Sequence, residues 1–319
     1  MASWGEPAFR GDQLFEGIYL HRWTAWKAFT QLSAALRSRL QEEALLQWPE
    51  ITESLPSSDG STKHAFCLLD GKQVEGVYMP YDKRTTLCLS SQVGCAMGCT
   101  FCATGQMGII RNVTAAEIVG QVVAMLNHHR HPNEVPVNLV FMGMGEPLHN
   151  LGHVMAAFAL LTDPQGLAIS PRRITLSTSG LVSGIDLLGT YAKRPRLALS
   201  LNATTDAYRS GIMPVNKVWN LKALSQALAR FPFQKGERVT LEYVLLRGVT
   251  DSLEDGQRLA AFAKALPAKI NLIPFNPHEG SGFEPPTEAR IEELCRLLTD
   301  QKLPVSGAKL PSAPPTRAW

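Results

Sequence analysis

Cys95, Cys99 and Cys102 stand within eight residues of a Gly-rich stretch, spaced C-x3-C-x2-C, and make up half of the chain's six cysteines. Three thiolates so spaced can hold three corners of a cubane iron–sulfur cluster, leaving the fourth iron open to an outside ligand. Two other readings compete: small buried hydrophobes, and a tetrahedral zinc site, which needs a fourth nitrogen or sulfur ligand. No second matched cysteine pair follows, and His128, His129 and His131 read as the polar end of the next helix. A second group is Met142 to Pro147, MGMGEP, where glycines let backbone approach a ligand and Glu146 can accept from an ammonium group; a plain turn reads the same way. Ser177, Ser200 and Asn202 can bond a carboxylate, ribose or adenine, or simply cap helices.

Elements must hold these groups in place. Beyond Arg84, strand-like runs at 85–90, 137–142, 173–178, 196–201, 238–246 and 269–274 alternate with helical stretches near 114–129, 151–162, 183–192, 220–230, 252–265 and 287–301. Thr114 and Glu117 form a capping-box signature before the first of these helices. The class is therefore α/β, with six βα units and a parallel sheet, open or curled into a barrel. Sites in such folds gather at the carboxyl ends of the strands, where the cysteines, Glu146, Ser177 and Asn202 all fall. Before Arg84, residues 9–47 have helical periodicity, 54–60 have linker composition, and 63–69 and 73–79 form a hairpin across Asp70-Gly71-Lys72.

The chain has 319 residues, 45% apolar and 18% charged, which fits a globular protein with a sizeable core. Neither a secretory signal nor a membrane-length apolar run is present, so the clustered cysteines point to a reducing cytoplasm. A net charge of +3 permits an RNA partner without arguing for one; Lys83/Arg84, Arg111, Arg172/Arg173 and Arg194/Arg196 are the candidate phosphate contacts.

From Arg84 to Gly105 the chain reads RTTLCLSSQVGCAMGCTFCATG, and this stretch resembles the RlmN/Cfr family of radical S-adenosylmethionine RNA methyltransferases. The resemblance covers roughly residues 5 to 303. It implies a small helical accessory domain (1–53), a linker and β-hairpin extension (54–84), and a partial (βα)6 barrel (85–303). It also implies a [4Fe-4S] cluster on Cys95, Cys99 and Cys102, with S-adenosylmethionine held by Gly145, Glu146, Ser177, Ser200, Leu201, Asn202 and Asn276. Family members commonly carry histidine where Asn202 stands. The implied reaction is methylation of carbon 2 of an adenine in 23S rRNA and perhaps tRNA. Cys88 would be the thiol that releases product from a covalent protein–RNA link, Glu75 a proton acceptor, and a flavodoxin or ferredoxin-type protein the electron donor. Without the resemblance, Cys88 reads as core and Glu75 as surface.

One departure stands out. Family members carry an Ala-Cys-Gly loop after the last strand, whose cysteine carries the methyl group. Here residues 304–319 contain no cysteine, are rich in Pro, Ala and Ser, and are expected to be disordered. Cys295, the one cysteine after the cluster motif, has the helical spacing of a core residue. The expectation is a truncated or divergent member, with a frame change near Ser306. Alternatives are cofactor cleavage without methyl transfer and a non-catalytic RNA-binding remnant.

Overall fold

The computed structural model describes residues 1–307. Its strands are β1 (Glu50–Pro56), β2 (Thr62–Cys67), β3 (Gln73–Tyr81), β4 (Arg84–Cys88), β5 (Gln92–Gly94), β6 (Ile109–Asn112), β7 (Val137–Phe141), β8 (Ile174–Thr178), β9 (Arg196–Ser200), β10 (Val239–Leu245), β11 (Ala268–Pro274) and β12 (Val305–Gly307). Its helices are α1 (Phe9–Phe15), α2 (Ala34–Glu43), α3 (Ala103–Gln106), α4 (Ala115–His128), α5 (Leu151–Thr162), α6 (Val182–Gly189), α7 (Asp206–Ile212), α8 (Leu221–Arg230), α9 (Leu253–Lys264) and α10 (Glu288–Asp300).

The large sheet runs β1-β2-β3-β4-β7-β8-β9-β10-β11-β12, antiparallel through the first four strands and parallel from β4 onward. All six expected barrel strands form, each followed by its helix. Leu, Val and Ile of these strands pack against α4, α5, α6, α8 and α9 to form the main core, which includes Leu87, Leu139, Leu176, Leu199, Leu241 and Ile270, none exposed. The expected capping box is in place: Thr114 accepts from the Glu117 amide, and Glu117 accepts from the Thr114 amide.

Three stretches differ from the sequence expectation. Residues 9–47 do not form one continuous helical run. α1 passes into a π turn at Glu16–Leu20, a 3-10 turn covers Trp26–Ala28, and α2 follows, all wrapped around a small core of Trp26, Phe29, Leu32, Leu36 and Leu40. β1 takes residues expected for the helical domain and linker, because Ile51 and Phe66 share a register position and the edge of β2 pairs along it. The expected tail begins as a strand: β12 pairs parallel with β11, Val305 opposite Ile270, so the seventh parallel strand covers an edge that would otherwise be open. The rest of the expected disordered tail, 308–319, lies outside the described residues.

Candidate active site

The cysteine loop leaves and re-enters a two-stranded ribbon, in which Gln92 stands opposite Asn112 and Gly94 opposite Ile109. Gly94 has φ +74°, and a Cβ there would lie 1.9 Å from the Gly108 carbonyl oxygen, so only glycine lets the stem close. Cys95 donates its amide to that same carbonyl at 2.9 Å, and Thr100 donates to Ile212 at the end of α7. Cys95 and Cys99 are buried and Cys102 is half-buried. Burial pushes the Cys95 thiol up to about 11 and the Cys99 thiol up to about 12, with the neighbouring cysteines adding to both. The three sulfurs are thus close enough to feel one another's charge, and ligation of a metal group there would release protons.

The segment after β7 is zipped onto this stem. Met144 donates its amide to Ser90 Oγ at 2.8 Å, Gln92 and Ser91 donate to the Met144 carbonyl, and the Glu146 amide donates to Gln92 Oε1 at 2.8 Å. Gly145, at φ +101°, sits so near Gln92 that a Cβ would come within 2.5 Å of its side chain. Glu146 is buried. Its Oε2 accepts from the Ser179 amide and hydroxyl, both at 2.7 Å, and its Oε1 accepts from the Leu148 amide at 3.1 Å. The Thr178 hydroxyl adds a fourth donor, so the roughly four lone-pair positions of the carboxylate are all engaged, and an incoming ammonium would share or displace one of these hydroxyl donors. Burial raises the Glu146 pKa despite these donors, and a cation would offset that penalty.

A cavity of about 240 Å³ opens among these loops at the carboxyl ends of the parallel strands. Cys95, Cys99, Cys102, Gly145, Glu146, Ser177, Ser200 and Asn202 all line it, joining the residues singled out after β4, β7, β8 and β9. Ser177 Oγ and Ser200 Oγ are 3.2 Å apart on neighbouring strands. Asn202 has φ +58°, a conformation asparagine tolerates better than most residues. Its Oδ1 accepts from the Val244 amide at 3.0 Å and its amide nitrogen meets Met213 Sδ at 3.5 Å. Leu201 does not line the cavity: its side chain is in the core, its amide donates to Glu242 and its carbonyl accepts from Arg209. Asn276 is exposed beyond β11, also outside the lining.

Cys88 and Glu75 lie on strands paired through Val77 and Cys88. Cys88 is buried, and desolvation pushes its thiol up to about 12, with the charges of Glu242 and Glu75 acting in the same direction. Glu75 is half-buried and pairs with Lys63 Nζ at 3.0 Å. Glu242, from β10, lines the cavity, and burial raises its pKa. Sequence reasoning passed over Glu242; a lone charged residue in Val239–Leu245, at an otherwise apolar strand centre, was the available signal.

Arg209 of α7 was also passed over. It is fully buried, and it donates to the carbonyls of Leu201 (2.9 Å), Ser179 (2.6 Å) and Ser200 (3.2 Å) and to Asn216 Oδ1 (3.0 Å). One guanidinium therefore fixes the ends of β8 and β9, and its charge favours the Cys99 thiolate. Thr205, which caps α7, was the sequence signal for a helix there. The candidate phosphate contacts fare differently. Arg111 is held by Asp70 and Glu117, and Arg194 is buried against Glu237. Arg172 and Arg173 precede β8, Arg194 precedes β9 and Arg196 opens it, at the end of the sheet opposite the cavity.

Two family models match the chain: the radical SAM superfamily over residues 89–260, and the ribosomal RNA large subunit methyltransferase N-terminal domain over residues 1–46. A dual-specificity RNA methyltransferase RlmN from Geotalea uraniireducens is 44% identical over 96% of this chain and 87% of its own length. A dual-specificity RNA methyltransferase RlmN 2 from Myxococcus xanthus is 45% identical over 93% and 79%. Among solved structures, a radical SAM methyltransferase from Sphaerobacter thermophilus superposes with a TM-score of 0.91 at 39% identity, covering 96% of this chain and 90% of that one. The superfamily uses a [4Fe-4S] cluster and S-adenosylmethionine, and the donors here fit both: three thiols lining one cavity, and beside them a buried carboxylate whose desolvation a cation would offset. On its two matched models, its relatives and its fold, the chain belongs to the RlmN family of radical S-adenosylmethionine methyltransferases.

Proposed function

We propose that this chain methylates carbon 2 of an adenine in 23S ribosomal RNA and in transfer RNA, in the cytoplasm, with electrons from a flavodoxin or ferredoxin-type protein. The observation that carries this reading is the single cavity in which the three cysteines meet Glu146, Ser177, Ser200 and Asn202. The free state of all six cysteines accords with a reducing compartment. Carbon 2 of adenine has no acidic proton and is no nucleophile. A reduced cluster with S-adenosylmethionine supplies the one-electron chemistry such a carbon requires.

The chain's own residues bind, orient and handle protons. Cys95, Cys99 and Cys102 would hold the cluster, and Glu146 would take the cofactor's amino group while Gly145 lets backbone come near. Ser177, Ser200 and Asn202 line the space left for the carboxylate and nucleoside. Leu201 can contribute only through a backbone already engaged, and Asn276 only from the rim. Cys88 must lose its proton to act as a nucleophile, and buried as it is, it needs a nearby carboxylate to take that proton. Glu75 is the acceptor we assign. The target base must leave its stack to reach this depth.

A second reading concerns the methyl carrier. Cys295 is on α10, packed against the outer side of the core and absent from the cavity wall. A polypeptide of these residues would then cleave the cofactor without passing on a methyl group. Nucleoside mass spectrometry on unmodified ribosomal RNA decides between the readings, after anaerobic incubation with reconstituted protein, S-adenosylmethionine and reductant. Appearance of 2-methyladenosine supports the first; deoxyadenosine without it supports the second; neither product overturns both. Cys88→Ala should accumulate protein cross-linked to RNA, and a variant that binds RNA without any cross-link would count against its assigned role.

A further inference from the structure

The C-terminal end of α4 is not the solvated polar end that its histidines suggest. The hairpin β2–β3 lies across it and brings a third imidazole to the group. His64, on β2, is fully buried, while His129 is half-buried and His128 exposed. Their available ring nitrogens all lie within 4.8 Å of one another. The three rings sit like blades of a pinwheel: centroids are 5.0, 5.0 and 5.1 Å apart and planes are inclined at 69°, 66° and 67°. Three imidazoles so grouped each offer one ring nitrogen to the same small space.

Protonation and support match such a use. His64 Nε2 and His129 Nε2 are 2.8 Å apart, so both cannot carry protons. Ser54 Oγ lies 2.9 Å from His64 Nδ1; accepting the proton there leaves Nε2 bare. Tyr78 stacks on His129 with centroids 3.7 Å apart and planes 9° from parallel, which fixes that ring. His128, on the exposed side, gives an entry path.

We propose that His64, His128 and His129 form a binding site for a borderline divalent cation of the Zn²⁺ class, with the remaining position left to water or an outside ligand, and that the ion pins the hairpin to α4. Imidazole suits such ions, and bonds of about 2.0–2.1 Å in a tetrahedral site would set the nitrogens about 3.3 Å apart, a small opening of the His64–His129 pair. His64 stands opposite Gly76, next to Glu75, so the ion would also steady the strand that carries the assigned proton acceptor.

The test uses the whole chain with its iron–sulfur site reconstituted anaerobically, so that the cluster cysteines are occupied, and with loosely bound metal removed by a chelator. Zn²⁺ is titrated against a chromophoric competitor, and thermal unfolding is followed with and without Zn²⁺. The expected result is one Zn²⁺ per chain and a higher melting temperature in its presence. His128→Ala, at an exposed position that leaves folding intact, should weaken binding at least tenfold and erase the melting shift. Failure of the wild-type protein to take up Zn²⁺, or uptake by His128→Ala and His129→Ala equal to that of wild type, overturns the proposal.

Discussion

Arg209 is the residue on which the most contacts of the site converge. Replacing it with methionine keeps much of the bulk but removes hydrogen bonds from a charged donor, each worth about 1.5–3 kcal/mol, and orphans buried carbonyls. Arg209→Met should cost at least ~3 kcal/mol in a urea unfolding titration; a loss under ~1 kcal/mol would mean the carbonyls find other donors. Cys88 makes a kinetic prediction. With its thiol held near 12, iodoacetamide at neutral pH should label half-buried Cys67 and Cys295 well before Cys88, read by peptide mass spectrometry. At this scale the sequence was informative where spacing itself is the signal, as in the three cysteines and in Gly145-Glu146. It was mute about Arg209 and Glu242, because a single charge in a chain carries no mark of the carbonyls or cavity that the fold will bring to it. Leu201 shows the converse: only the family resemblance suggested a contact there, and nothing in the sequence marked the bonds its amide and carbonyl make within the fold.

Among the elements, the β5–β6 ribbon decides whether the cysteine loop can close. Gly94→Ala adds a methyl group in the path of the Gly108 carbonyl and at a left-handed φ, so loss of iron uptake and destabilisation by about 2 kcal/mol or more are expected. Full iron content in that variant would show that the stem can open without harm. The start of α4 carries a pH prediction. Burial alone would raise the Glu117 pKa, but the Arg111 guanidinium and the Thr114 donors outweigh it and lower the pKa below the ordinary value of 4.5. The resulting stability is complete above that value and is lost as pH falls through the lower, folded-state pKa. Glu117→Gln should therefore flatten the acid limb of stability against pH, and an unchanged limb would remove Glu117 as its source. The barrel helices and strands were legible because their apolar periods are long and their caps strong. β1 and β12 were not, since the existence of each depends on the partner edge it covers rather than on its own pattern.

For the molecule as a whole, the sheet is a single open surface with an antiparallel extension at one end and β12 at the other. Ending the chain after Leu303 would bare the β11 edge and leave the Ile270 amide without the Pro304 carbonyl. Such a protein should melt at a lower temperature and aggregate faster under light scattering than the chain carried through Gly307; equal behaviour would mean that β12 is dispensable. Net charge, +3, tells little about what this protein can hold, because most of its charge is on the surface and screened. Arg209 differs, being a positive charge in a buried, poorly screened wall beside Cys99; burial lowers its pKa only to about 10, so the charge is kept at neutral pH. Ionising a thiol and adding an electron to whatever the thiols bind both increase negative charge at the same place, so both are favoured by the same counter-charge. The side chain that fastens two strand ends therefore also biases that wall toward negative charge, and folding and the charge balance of the site are coupled through one residue.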